Sequence, residues 1–149
     1  MIRLLRTNSK HKDFIFLVKE LDSYLKKTDG DEHAFYNQFN AIDNLNHVVI
    51  AYNNNELIAC GAFKEFKKDC VEIKRMFTLP KQRGLGIASL ILNELELWAK
   101  ELNYKHSVLE TGIRQKEAVK FYKKNSYKII PNYGQYIGIK NSLCFEKKL

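Results

Sequence analysis

No Pro- or Ser-rich linker, internal repeat or low-complexity tract interrupts the 149 residues. A chain of this length without a break in composition is expected to form a single domain over residues 1–149. Long apolar runs are also missing. The longest, residues 48–52, falls far short of the ~20 residues that cross a bilayer. No extended apolar stretch follows Met1-Ile2-Arg3-Leu4-Leu5-Arg6, so neither a membrane span nor a signal peptide is expected. Cysteine is sparse: Cys60, Cys70 and Cys144 are odd in number and far apart. That excludes a disulfide framework and suits reduced thiols in a cytoplasmic protein, with Cys60 and Cys144 as core residues of apolar runs. The histidines (His11, His33, His47, His106) lie apart from one another, and no Cys/His group has zinc-ligand spacing, so no metal is expected.

What is present is an ordinary globular composition, 45% hydrophobic and 28% charged. The formal charge of +8 is high but spread along the chain. It is compatible with a solvated basic surface, a nucleic acid, a membrane surface or a small polyanion. Periodicity predicts a strand over 2–7 and a helix capped by Ser9, with Phe14, Leu17, Val18, Leu21 and Leu25 at helical spacing. A second helix is expected over 31–40, its apolar side carrying Ala34, Phe35 and Phe39. Asn53-Asn54-Asn55 reads as the turn between strands at 47–52 and 57–66. A strand at 71–79 follows, with Val71, Ile73 and Phe77 on one side and Glu72, Lys74 and Met76 on the other. The strongest helix is expected over 86–101, with Ile87, Ile91, Leu95, Trp98, Ala99 and Leu102 as its buried stripe. A strand at 107–111, a helix at 115–125 and strands at 127–130 and 143–147 complete the pattern. The order predicts an α+β fold: a mixed sheet with helices on both faces.

One stretch carries chemistry: Thr78-Leu79-Pro80-Lys81-Gln82-Arg83-Gly84-Leu85-Gly86-Ile87-Ala88. It joins a strand to the start of a long helix through a glycine-bearing turn. The first backbone N–H groups of a helix lack intrahelical partners and carry partial positive charge. Glycines beside them let the backbone approach a ligand, which suits a diphosphate, and Arg83 can add a charge-assisted contact. A P-loop fits poorly, because Ile87-Ala88 stands where Lys-Ser/Thr is required. A dinucleotide fingerprint fits poorly, because Ser89 replaces its third glycine and the upstream strands read as hairpins. The turn taken alone is equally compatible with a tight strand-to-helix connection.

Arg83-Gly84-Leu85-Gly86-Ile87-Ala88 resembles the Arg/Gln-x-x-Gly-x-Gly/Ala signature of the GNAT-type N-acetyltransferases. About thirty residues on, Gln115 to Tyr127 resembles that family's Asn-x-x-Ala-x-x-Leu-Tyr-x-x-x-Gly-Phe/Tyr motif. Two departures stand out: Gln115 replaces Asn, and Ser126 replaces Gly at a position that can require a left-handed backbone. The resemblance implies an αβα sandwich on a largely antiparallel sheet of six to seven strands. It implies acetyl-CoA as co-substrate, held by Phe77, Thr78, Arg83, Gly84, Leu85, Gly86, Ile87, Ala88, Gln115 and Tyr122, and direct attack by a bound amine. Tyr122 matches the family's general acid. Glu72 is the first candidate for the base and Glu110 the second, with a backbone N–H near Phe77 as oxyanion donor. Phe35, Lys74, Glu110 and Tyr133 are candidates for acceptor binding, as are Asp31, Glu32, His33, Tyr36 and Tyr136. Acidic residues beside aromatics would suit a cationic amine, whereas Lys74 and Arg75 would suit an acceptor carboxylate. The expected partner is a small-molecule or peptide amine; no nucleic acid or membrane partner is expected, and a homodimer is compatible. The rival readings are a non-catalytic CoA-binding or regulatory module and, on the charge, an RNA-binding protein.

Overall fold

The computed structural model describes residues 1–29 and 45–149. The helix expected over 31–40, and with it Phe35 and the other acceptor candidates of that segment, lies outside the described residues. The elements are β1 (Ile2–Thr7), α1 (Lys12–Asp29), β2 (His47–Asn53), β3 (Glu56–Lys67), β4 (Cys70–Thr78), α2 (Ile87–Glu101), β5 (His106–Gly112), α3 (Lys116–Lys124), β6 (Lys128–Ile130) and β7 (Ser142–Lys148). The strands form one seven-stranded mixed sheet in the order β1-β2-β3-β4-β5-β7-β6. Among the described residues, only β4 and β5 pair in parallel. Helices cover both faces, as the pattern of elements predicts. None among the described residues is long and apolar enough to cross a membrane.

Local chemistry explains the boundaries. Asn54 and Asn55 both take positive φ (50° and 71°), the two-residue turn that matches strand twist and that Asn tolerates. Helix α1 starts later than Ser9. The Ser9 N–H is committed to the Leu45 carbonyl at 2.9 Å. His11 begins the helix instead, its Nδ1 accepting from the Asp13 N–H at 3.1 Å. Phe14, Leu17, Val18 and Leu21 then bury one side of α1 against Val48, Ile50, Cys60 and Phe77. On the other face, Ile91, Leu92 and Leu95 of α2 are fully buried against Val49, Ala59, Phe63 and Leu109. Burying each such side chain is worth about 1.5–3 kcal/mol, so these two apolar stripes outweigh any surface ion pair in fixing the layers. Leu102, expected in the α2 stripe, is 44% exposed, because the helix has already ended at Glu101. All three cysteines are buried, Cys70 included.

The alternation expected along β4 fails at one residue. The register against β3 slips between Cys60↔Phe77 and Ala62↔Lys74, so Gly61 faces both Arg75 and Met76. This is a β-bulge, and Arg75 sits in it at φ 57°. The extra residue swaps the faces beyond it. Met76 joins the Ile73 core, and Phe77 moves to the α1 core, the reverse of both expectations. Glycine is required opposite the bulge, because a Cβ at Gly61 would stand 2.7 Å from Ile91 Cγ2 and 3.0 Å from Leu95 Cδ1.

Ser126, where the family motif has Gly, takes φ 74° just past α3. A left-handed conformation costs an L-residue roughly 1–2 kcal/mol. Ser126→Gly is therefore expected to raise unfolding stability by about 1 kcal/mol, read as a higher denaturant midpoint with unchanged slope.

Candidate active site

Strands β4 and β5 are hydrogen-bonded only at Cys70↔His106, Val71↔Ser107 and Glu72↔Val108. Beyond these the pairing stops, while β4 continues to Thr78 and β5 to Gly112. Two cavities open in the fork and share Leu21, Met76, Gln115, Ala118 and Tyr122 in their walls. Residues 72–76, 110–122 and α1 thus converge from three distant parts of the chain.

The outer cavity holds about 600 Å³ and is lined by Phe77, Thr78, Arg83, Gly84 and the α2 start. Gly84 and Gly86 take φ 82° and 78°, and α2 begins directly after Gly86. The Leu90 N–H bonds back to the Gly86 carbonyl at 3.2 Å, as the helix pattern requires. The N–H groups of Ile87, Ala88 and Ser89 therefore have no intrahelical acceptor. A Cβ on Gly84 or Gly86 would meet nothing within 4 Å, so backbone conformation rather than crowding demands glycine there. Arg83, Lys120 and Lys124 stand on this wall against one carboxylate, Glu117. The excess positive charge and the open helix start fit a diphosphate. Arg83 is partly engaged within the protein. Its Nε donates to the Thr78 carbonyl at 2.9 Å, and its guanidinium lies over Tyr24 and Phe77 at 5.2 and 5.5 Å from the ring centres. Leu85, expected among the cofactor contacts, is 66% exposed and does not line the cavity.

The inner cavity is small, about 110 Å³, and polar in its walls: Glu72, Lys74, Arg75, Glu110, Tyr122 and Tyr136 all face it. Glu72 is buried, not a half-exposed surface residue. Its Oε2 accepts from the Tyr133 hydroxyl at 2.6 Å, and Lys74 Nζ stands 3.6 Å from its Oε1. Burial lowers the Lys74 pKa from the ordinary ammonium range, and the charge of Glu72 partly offsets this. Burial and the Glu72 charge together push the Tyr133 phenol well above its ordinary value, so it remains a donor. Arg75 Nη1 donates to Asp22 Oδ1 at 2.6 Å, which ties α1 to the bulge. The loop carrying Tyr133 and Tyr136 is held by Asn132, whose Nδ2 donates to the carbonyls of Tyr136, Ile139 and Ser142 at 3.1, 3.0 and 3.2 Å.

Tyr122 stands where the cavities meet and is 7% exposed. Burial first, and the nearby Glu110 charge second, raise its pKa above the ordinary phenol value. It therefore carries its proton throughout the neutral range. Gln115 lines both cavities at the entry to α3. The structure thus brings together Glu72, Lys74, Glu110, Gln115 and Tyr122, with Tyr133 reaching the cluster through Glu72. Sequence patterns missed Leu21, Tyr24 and Met76. The first two belong to an ordinary amphipathic helix, and the bulge that turns Met76 inward leaves no local signal.

The Acetyltransferase (GNAT) family model matches residues 14–127. The chain is similar to the IAA acetyltransferase of Azospirillum brasilense, with 30% identity over 136 residues, covering 89% of this chain and 88% of that protein. Its fold is similar to that of a Klebsiella pneumoniae protein provisionally named an acyl-CoA N-acyltransferase, with a TM-score of 0.85, 24% identity and coverage of 100% and 98%. A GNAT family acetyltransferase from Elizabethkingia anophelis, solved with acetyl-CoA bound, aligns at a TM-score of 0.69 with 20% identity over 99% of this chain and 98% of that one. The chain belongs to the GNAT acetyltransferase family, and it is an acyltransferase.

Proposed function

We propose that residues 1–149 form one catalytic domain that moves an acetyl group from acetyl-CoA to a primary amine by direct attack in a ternary complex. The observation that carries this reading is the place of Tyr122, a protonated phenol lining both the outer cavity beside the open helix start and the polar inner one. Bound acetyl-CoA supplies a thioester whose carbonyl carbon accepts the amine nitrogen as the carbon–sulfur bond breaks. The N–H groups of Ile87, Ala88 and Ser89, with Arg83, hold the diphosphate end, while Phe77, Thr78 and Gln115 flank the arm that enters the fork. Glu72 takes the amine proton, directly or through a water, with Glu110 as the alternative carboxylate. Tyr133 keeps Glu72 aimed by occupying Oε2, while Lys74, beyond hydrogen-bonding distance of Oε1, leaves that oxygen accessible. Tyr122 gives its proton to the departing sulfur, and the backbone N–H near Phe77 steadies the developing oxyanion.

The volume of the inner cavity, about 110 Å³, favours a small amine or amino acid, or a slender side chain, over a bulky acceptor. The test is free-thiol release from acetyl-CoA across alkylamines, polyamines, amino acids and lysine peptides. Amine-dependent release with at least one of these is expected. Release that never exceeds the amine-free rate would remove the reading.

A further inference from the structure

Outside both cavities lies a buried polar chain that the transfer chemistry does not use. Glu96 of α2 is 8% exposed, Ser107 of β5 is fully buried, and Tyr127, between α3 and β6, is 3% exposed. The Tyr127 hydroxyl donates to Glu96 Oε2 at 2.9 Å. Its one proton is thereby used, so the Ser107 hydroxyl, 2.8 Å away, is the donor in the second contact. Lys147 of β7 donates to Glu96 Oε1 at 2.8 Å and lies 5.7 Å over the Tyr127 ring. Three elements and the connection between α3 and β6 thus converge on one phenol oxygen and the carboxylate it bonds. Glu96, Ser107 and Tyr127 would each be left with an unsatisfied buried polar group without its partner, so the arrangement holds Tyr127 in one place.

Tyr122 is what Tyr127 touches. The two rings meet edge to face at 5.8 Å and 71°, and the Tyr127 N–H donates to the Tyr122 carbonyl at 3.0 Å. Helix α3 has nine residues, and Tyr122 is its one buried residue. A helix that short has little stability of its own, so contacts with the sheet must set where Tyr122 stands. Its other ring neighbours are Phe121 of the same helix and Phe145. Neither has a hydroxyl to anchor, whereas Tyr127 is tied by hydrogen bonds to the far side of the core.

We propose that Tyr127, fixed by Glu96, Ser107 and Lys147, is a positioning residue that holds the Tyr122 phenol at the junction of the two cavities. The inference rests on the acid role given to Tyr122 above. The test is a double-substitution cycle assayed with the best acceptor of the amine panel, paired with the 19F spectrum of 3-fluorotyrosine at position 122 in the ligand-free protein. Tyr127→Phe is expected to lower kcat about tenfold, since misplacing a catalytic group by an ångström has effects of that order or larger. The KM for acetyl-CoA should stay within about twofold. In the Tyr122→Phe background the same change should alter kcat less than about twofold, because Tyr127 then has nothing left to position. The 19F line should move or broaden in Tyr127→Phe. In Glu96→Gln, whose side chain still accepts from Tyr127, it should stay near its original place.

An equal loss in both backgrounds, or no loss in either, would overturn the proposal. Tyr122→Phe with unchanged turnover would overturn the acid role and this inference together. If no amine is acetylated, the proposed function fails, and the 19F line alone then judges the positioning: an unmoved line in Tyr127→Phe refutes it. If Tyr127→Phe does not fold, Ser107→Ala replaces it with the same expected directions.

Discussion

Replacing Tyr122 with Phe is expected to cut turnover by roughly 10²-fold while leaving acetyl-CoA affinity within about twofold. The substitution removes one oxygen and its proton and keeps the ring, so the contacts with Phe121, Tyr127 and Phe145 survive. Burial disfavours the phenolate, so the proton is present at neutral pH in every molecule. In the proposed mechanism its release waits until negative charge builds on the departing sulfur. That timing makes the group useful in the transition state and of little account in the ground state. Steady-state kinetics and calorimetric binding of acetyl-CoA, run on both proteins, give the two numbers. A fall in affinity with unchanged turnover would make Tyr122 a wall of the cavity and nothing more.

The second large effect is expected at the turn. Gly86 holds φ 78° immediately before α2, where a β-branched side chain is strongly disfavoured. Gly86→Val should force the turn out of its conformation and move the first N–H groups of the helix. A loss of about tenfold or more in acetyl-CoA affinity is expected, equivalent to at least ~1.4 kcal/mol. Turnover at saturating acetyl-CoA should change far less, because the substitution leaves the Tyr122 phenol and its ring contacts in place. Gly86→Asn is the control: Asn tolerates the left-handed region, and space for a side chain is open there, so most of the affinity should remain. Equal affinity in wild type and Gly86→Val, by calorimetry, would show that the turn is only a connection.

Much of the candidate site was legible before any coordinates. Gly84 and Gly86 beside a long amphipathic stripe announce a helix start with open N–H groups, since only glycine adopts such φ values at little cost. Ala118, Phe121 and Tyr122, at i, i+3 and i+4, announce a short helix with one apolar side. The bulge was not legible. No residue in Cys70–Thr78 marks it, and it depends on Gly61 in another strand letting α2 come close. Alternation therefore placed Phe77 and Met76 on the wrong faces. The burial of Glu72, Lys74 and Arg75 was equally hidden. Each looks like a surface residue by type; Glu72 finds its partner in Tyr133 and Arg75 in Asp22, 61 and 53 residues away, and Lys74 sits beside Glu72.

The amino-acid order by itself determined the local pieces: which segments are strands or helices, where α2 starts, and which phenol lies on the inner side of α3. Those follow from periodicity, capping and backbone preference, all acting within a few residues. The tertiary structure alone decided that β4 and β5 part after Glu72↔Val108 and that Tyr122 stands in the opening. It also decided that a buried chain from Glu96 to Tyr127 lies behind that phenol. Such arrangements arise from packing between residues distant in the chain, and no local pattern encodes them.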